Sequence, residues 1–165
     1  KVIVEFSEAA RLIGSDALFI LVGPLDPNNP DSISRSELDD WIDDGRLSYW
    51  GESSDVRIEI GKADCVVLPS YREGTPKILL EAASLGRPII TTDTPGCRSV
   101  VEEGANGYRC LVRNADSLVS KMRQFMLLDE AVRRKMGLVS RQLAEQKFDE
   151  KIVFERYSAA ISRVT

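Results

Sequence analysis

Two glutamates eight positions apart, Glu73 and Glu81, are the residues of this sequence whose types and spacing could do chemistry. Glu73 lies in a segment rich in proline, serine and glycine, which predicts a loop. Glu81 follows about two turns into a helix predicted to begin at Pro76. A carboxylate accepts two hydrogen bonds side by side, so each glutamate could hold a pair of ligand hydroxyl groups. The alternative for either residue is an ordinary solvated surface glutamate.

The charges at the start of this helix argue against the surface alternative. Lys77 falls in the first helical turn, where the helix dipole disfavours a cation by roughly a few tenths of a kcal/mol. Lys77 and Glu81 also stand in the less favourable order for an ion pair at a spacing of four. An anion bound near Thr75, Pro76 and Lys77 would turn this local cost into an attraction. In this interpretation Thr75 is the N-cap and Pro76 the first helical residue.

The segments around these residues alternate between strand and helix patterns. Strands are predicted at 17–22, 47–50, 65–68, 89–92 and 108–112. Those at 17–22 and 65–68 are apolar throughout and are therefore expected to be buried. Helical spacing and caps predict helices at 1–14, 34–44, 56–62, 76–85, 115–128, 132–148 and 150–162, and a turn at 94–99 opens a further short helix to about residue 103. Ser34 or Ser36 caps the second helix, and residues 36–39 fit a weak capping pattern. The two strands of the 65–92 region, with the glycine loop and the helix between them, form a strand–loop–helix–strand unit. The pattern is typical of one α/β domain, residues 1–165, with a Rossmann-like, doubly wound parallel sheet and C-terminal helices.

One strand of that sheet is missing from the pattern. The chain opens on a helix, and in the usual strand order 3-2-1-4-5-6 the strand before this helix is the central one. We expect it to come from residues upstream of Lys1 or from a neighbouring molecule. Direct pairing of the strands on either side of it would contradict this expectation.

The segment from Glu73 to Asp93 resembles the E-x7-E signature of retaining glycosyltransferases with the GT-B fold, a large family that uses nucleotide sugars. The resemblance depends on several short motifs in order: Glu73-Gly74, Leu80-Glu81-Ala82, Gly86, Pro88, Asp93 and Asn106-Gly107. It covers nearly the whole chain and implies the C-terminal, donor-binding domain, half of a GT-B fold, without the acceptor domain. The implied function is transfer of a hexose or N-acetylhexosamine to a glycan or lipid-linked acceptor in polysaccharide, capsule or O-antigen biosynthesis. The implied donor is a UDP-sugar, with GDP-mannose as the alternative, and the chain alone is expected to be inactive.

The resemblance also implies a role for each candidate residue. Glu73 would bind hydroxyl groups of the donor sugar near the reacting face and is the catalytic candidate, and Glu81 would bind the ribose hydroxyls. The donor diphosphate would lie over Gly74, Thr75, Pro76 and Lys77, with Lys1 as a further contact. The loop Gly51, Glu52 and Ser53 would take the nucleobase through backbone groups. An ordinary turn and a terminal lysine without a role are the alternatives for these last two assignments.

Composition limits the other functions. The net charge of −4 argues against a nucleic-acid surface, but a nucleotide pocket needs only a few local cations. The chain has no histidine, the commonest general base and metal ligand. The acidic pairs Asp39-Asp40 and Asp43-Asp44 fall on a predicted solvated helix face. We therefore predict no metal site and no cofactor.

Cellular location and partners follow from the same composition. The three cysteines lack metal-type spacing and predict reduced core thiols, which indicates a cytoplasmic protein. No apolar run approaches the roughly 18 residues of a membrane span. The expected partners are the nucleotide-sugar donor and, through the missing N-terminal domain, the acceptor, with no nucleic acid. Peripheral association of the full-length enzyme with a membrane stays open.

Two other functions also stay open. A non-catalytic nucleotide-binding or scaffold domain would keep the fold without the chemistry, although retention of both glutamates argues against it. A nucleotide-sugar epimerase shares the two-domain architecture, but it would lack the paired glutamates.

Overall fold

Helices and strands alternate along the chain before a helical C-terminal part. The structure is a computed structural model, and it describes residues 3–26, 28 and 32–162. The strands are β1 (Ile20–Val22), β2 (Ser48–Gly51), β3 (Val66–Leu68), β4 (Ile89–Thr92) and β5 (Gly107–Cys110). The helices are α1 (Ile3–Ile13), α2 (Arg35–Asp43), α3 (Val56–Lys62), α4 (Lys77–Ser84), α5 (Pro95–Arg98), α6 (Ala115–Met126), α7 (Glu130–Lys147) and α8 (Glu150–Ile161).

The strands form two parallel sheets instead of one. β1 pairs with β2, and β3, β4 and β5 pair in that order. Within the described residues, β1 and β3 do not pair with each other, so the contact that would contradict a missing central strand is not found. The filling of this gap by an upstream strand stays a prediction.

The gap between the sheets also explains an error in predicted burial. The sequence predicts β1 and β3 as buried strands, but both are only partly buried, whereas all residues of β4 are buried. β4 has a neighbour on each side, and β1 and β3 each have one edge without a partner among the described strands. Burial of a strand depends on its neighbours, which its own apolar run does not specify.

Hydrophobic clusters cover both faces of the three-stranded sheet. Ile89 and Ile90 are consecutive in β4 and therefore point to opposite faces. Ile90 belongs to a cluster that includes residues of α1 and α6. Ile89 belongs to a second cluster, with residues of α4 and Ala144 of α7. Helices on both faces confirm the predicted doubly wound α/β arrangement.

Several predicted ends and caps differ in detail. β1 begins at Ile20 because a 3-10 turn at Gly14–Asp16 and an exposed Leu18 precede it. Ser34 caps α2, and Ser36 does not. Glu37 completes a capping box with Ser34, so the capping pattern predicted at residues 36–39 is wrong.

The Asn106-Gly107 pair follows Gly104 in a turn at residues 104–106, and it also has a packing role. Neither residue has a positive φ; in this turn that conformation belongs to Gly104, at 74°. Asn106 is fully buried, and its side chain bonds the backbone of Glu102 and Val100 and the hydroxyl of Ser140. A Cβ on Gly107 would lie 1.9 Å from the carbonyl oxygen of Ile89, so only glycine fits beside β4.

The cysteines are free thiols, as predicted. Cys97 and Cys110 are buried, and Cys65 is half-buried. Burial raises the pKa of Cys110 to about 11, which keeps that side chain protonated at neutral pH.

Candidate functional site

A cavity of about 820 Å³ lies at the carboxyl ends of the strands that flank the gap. Its apolar wall comes from the end of β1 and the segment after it, including Leu21, Val22 and Leu25. Its polar wall is the loop after β3, residues 70–73, with Arg113 beside it. The carboxyl ends of parallel strands, at the point where strand order reverses, are where open α/β sheets bind ligands.

Glu73 lies in the polar wall of this cavity and is a half-buried residue. Oγ of Ser70 donates a hydrogen bond of 2.8 Å to Oε1 of Glu73. Ser70 is itself held by the sheet, because Oγ1 of Thr92 donates to its carbonyl oxygen. The catalytic candidate therefore stands on a loop tied to a fully buried strand.

Gly96, in the single-turn helix α5, supports the same loop from another side. A Cβ at position 96 would lie 1.3 Å from the carbonyl oxygen of Gly74 and 2.5 Å from that of Glu73. The first turn of α5 thus lies directly against the Glu73-Gly74 backbone. Sequence reasoning predicts a turn that opens a short helix here, but it missed this contact, because Gly96 and Gly74 are distant in the sequence.

Tyr71 braces the loop against α1. Its hydroxyl donates a hydrogen bond of 2.6 Å to Oε1 of Glu5, and the guanidinium of Arg113 lies 4.8 Å from the centre of its ring. Arg113 has a φ of 55°, a left-handed conformation uncommon outside glycine. Burial, followed by the hydrogen bond to Glu5, raises the pKa of Tyr71 from 10.0 to about 12.

This pKa predicts a loss of stability at alkaline pH. Because the folded state holds the Tyr71 proton more tightly than the unfolded state, its contribution is complete below pH 10 and disappears as the pH rises to about 12. Urea unfolding at several pH values should show a steeper decline over this range for the wild type than for Tyr71→Phe. Equal declines in both proteins would contradict the assigned contact.

Glu81 occupies the second turn of α4, at the other end of the predicted site. Its side chain is 20% exposed, and its Oε1 lies 3.5 Å from Nζ of Lys77, whose side chain is 89% exposed. In the part of the chain that the structure describes, no hydrogen bond reaches the Glu81 carboxylate. Asp55, with a smaller contribution from Glu81, raises the pKa of Arg57. Glu81 therefore lies within electrostatic range of the start of α3, which follows the Gly51–Ser53 segment.

The start of α4 differs from its prediction by one position. Lys77 is the first helical residue, and Pro76 is the N-cap, with a φ of −65° and a ψ of 121°. Thr75 is therefore not the N-cap, and no side chain caps this helix end. Pro76 acts as the N-cap through its backbone: its carbonyl oxygen accepts the first helical hydrogen bonds, from the N–H groups of Leu79 and Leu80. The amide group of Lys77 is left without a side-chain cap at the place where an anion was predicted.

The structure places only one of the described candidate residues in the lining of the cavity. Among the described candidates, Glu73 is the one that lines it, and the others lie outside its lining: Gly51, Glu52, Ser53, Gly74, Thr75, Pro76, Lys77 and Glu81. Gly51 is the last residue of β2, with a φ of 73°, and its carbonyl accepts a bond of 2.8 Å from the amide of Gly23 in the cavity wall. Lys1 lies outside the described residues. Sequence reasoning missed the lining residues Tyr71, Arg72 and Arg113.

Comparison with known proteins identifies the family. Residues 2–127 match the family model described as glycosyl transferases group 1. The chain is a member of this family. The recognition of the E-x7-E pattern in the sequence is thereby confirmed.

The relatives of this group 1 glycosyl transferase chain are longer than it is. It is 34% identical to N,N'-diacetylbacillosaminyl-diphospho-undecaprenol alpha-1,3-N-acetylgalactosaminyltransferase of Campylobacter jejuni, over 99% of this chain and 42% of that protein. It is 26% identical to the capsular polysaccharide biosynthesis glycosyltransferase CapM of Staphylococcus aureus, over 94% of this chain and 41% of that protein. The chain thus spans about two fifths of the length of these relatives.

A solved structure confirms the fold. HepE of Anabaena, in complex with UDP, superposes with a TM-score of 0.86 at 20% identity, over 97% of this chain and 44% of that protein. This likeness agrees with the predicted Rossmann-like half of a GT-B fold.

No helix in the described part of the chain is long and apolar enough to cross a membrane. The described residues contain no cluster of three or more metal-ligating side chains. Arg98 pairs with Asp93 at 2.7 Å and holds the pKa of that carboxyl below its ordinary value.

Proposed function

We propose that this chain is the donor-binding domain of a retaining glycosyltransferase that uses a nucleotide diphospho-sugar. The observation that carries the proposal is the carboxylate of the half-buried Glu73, held by Ser70 in the wall of a cavity at the carboxyl ends of the strands. Membership of the family supports the reaction class. The UDP bound to HepE supports a UDP-sugar as donor, with GDP-mannose as the alternative.

The proposed chemistry is positioning and charge stabilisation. Glu73 binds hydroxyl groups of the donor sugar and stabilises positive charge that develops on the sugar ring. The nucleoside diphosphate leaves with negative charge, which the uncapped start of α4, Lys77 and Lys1 stabilise. Glu81 holds the ribose hydroxyls, and Gly51, Glu52 and Ser53 lie beside the base. No metal or other cofactor is part of this proposal.

The acceptor is proposed to bind outside this chain. The relatives named above act on a lipid-linked diphospho-sugar or in capsule biosynthesis, and the chain spans about two fifths of their length. We therefore propose transfer of a hexose or N-acetylhexosamine to a glycan or lipid-linked acceptor held by the N-terminal domain. A cytoplasmic location, at the membrane face where the acceptor is lipid-linked, fits this chemistry.

Glu81 gives a direct test of nucleotide binding. Replacing it with alanine should weaken UDP binding roughly ten- to a hundredfold, because the two ribose hydroxyl groups of UDP lose their charged acceptor. Isothermal titration of the full-length protein with UDP measures the change. A matched control is Glu145→Ala on α7, which breaks an ion pair of the same cation-first order, Arg141 to Glu145 at 2.7 Å, outside the lining of the cavity.

The result separates the proposed enzyme from the scaffold alternative. A scaffold domain without nucleotide chemistry would show no UDP binding, or equal binding by the wild type and Glu81→Ala. Equal weakening by Glu145→Ala would assign the effect to the helix surface instead of the ribose.

The donor sugar can be found by thermal shift. UDP, UDP-glucose, UDP-N-acetylglucosamine, UDP-N-acetylgalactosamine and GDP-mannose are added in turn to the full-length protein, since a bound ligand raises the melting temperature. The donor should raise it more than UDP alone, because Glu73 adds contacts to the sugar.

A further inference from the structure

The hydrogen bond from Ser70 makes the two carboxylate oxygens of Glu73 unequal. Oε1 accepts the Ser70 hydroxyl at 2.8 Å. Among the described residues, no hydrogen bond reaches Oε2. One oxygen is therefore held by the protein, and the other is left for a ligand in the cavity that Glu73 lines.

Ser70 is rigid enough to set this orientation. Its residue surface is only 3% exposed, although it lies in a loop. The hydroxyl of Thr92, itself 1% exposed, donates to the carbonyl oxygen of Ser70. The hydroxyl of Thr91 donates in the same way to Leu68, at 2.7 Å. Two neighbouring residues of the buried strand β4 thus fix the end of β3 and the residue that holds Glu73.

We propose that Ser70 is a positioning residue, which holds Oε1 of Glu73 so that Oε2 faces the hydroxyl groups of the donor sugar. The inference rests on the proposed role of Glu73. A freely rotating carboxylate would spend part of its time in rotamers that do not meet the sugar, and preorganisation removes that loss. Ser70 itself touches no reacting atom in this arrangement.

The test is a double-mutant cycle in the full-length protein, with the donor from the thermal-shift screen. Ser70→Ala should lower kcat about ten- to a hundredfold, the range for a hydrogen bond to a charged group. In a Glu73→Ala background the same substitution should change kcat by less than about threefold, because its target is gone. UDP affinity should stay close to that of the parent protein, since the Thr92 bond uses the Ser70 backbone and keeps the loop in place.

A serine outside the site supplies the control. Oγ of Ser162 donates a hydrogen bond of 2.9 Å to the carbonyl oxygen of Ser158, so Ser162→Ala should leave kcat within about twofold. Where turnover of Glu73→Ala is too slow to follow, the ratio of UDP-sugar to UDP affinity replaces kcat in the cycle.

Three outcomes would overturn the inference. An equal loss in both backgrounds would make Ser70 merely structural. No loss from Ser70→Ala, where Glu73→Ala does reduce turnover, would show that Glu73 orients itself. Full activity of Glu73→Ala would instead overturn the proposed function, and the positioning role with it.

Discussion

Replacing Glu73 with glutamine is expected to lower kcat for glycosyl transfer by about a hundredfold or more. Glutamine keeps the size of the side chain and one acceptor oxygen, but it removes the negative charge that stabilises the developing charge on the sugar. The loss should appear in kcat, because the charge matters most in the transition state. Steady-state kinetics of the full-length protein, with the donor found by thermal shift, measures it.

The binding of UDP separates this effect from a general defect. Glu73 lines the cavity, and Glu81 lies on α4 outside its lining, so Glu73→Gln should leave UDP affinity within about twofold. Glu145→Gln on α7 is the matched control and should keep wild-type turnover. Unchanged turnover in Glu73→Gln, together with weaker UDP binding in Glu81→Ala, would support the proposed position of the nucleotide and contradict the proposed position of the sugar.

Much of the fold could be predicted because its signals are local. The β-branched run at 89–92 and the glycine at 86 correspond to β4 and to a left-handed residue with a φ of 64° just after α4. Helical spacing of apolar residues likewise located α6 and α7 within a few positions. Caps were harder to assign, since Ser34 and Ser36 both fit and only the partner, Glu37, decides between them.

What could not be predicted depends on contacts between distant parts of the chain. The partial burial of β1 and β3 results from the gap between the two sheets, which no single strand pattern reports. In the site, the two glutamates stand out by spacing alone. The residues that hold Glu73 in place do not: Tyr71 meets Glu5 across 66 positions, and Thr92 meets Ser70 across 22. Such partners become visible only when the strands are placed side by side.

The contact at Gly96 predicts the second large effect. Gly96→Ala should lower kcat by about a hundredfold and destabilise the protein by about 1–3 kcal/mol. An added Cβ would lie 1.3 Å from the carbonyl oxygen of Gly74, which is backbone and cannot rotate away as a side chain can. Either α5 or the Glu73-Gly74 segment must move by more than an ångström, and a displacement of that size at a reacting group is enough for the loss of rate.

A second glycine tests whether the effect belongs to this contact. Gly61 lies inside α3, where an added Cβ would meet nothing within 4 Å. Gly61→Ala should therefore stabilise the protein by roughly 0.5–1 kcal/mol and leave kcat unchanged. Thermal unfolding and steady-state kinetics on both variants decide the matter. If Gly96→Ala kept normal turnover, the Glu73 loop would have to move freely, and a carboxylate on a loop that moves freely could not be the preorganised group that the proposed reaction needs.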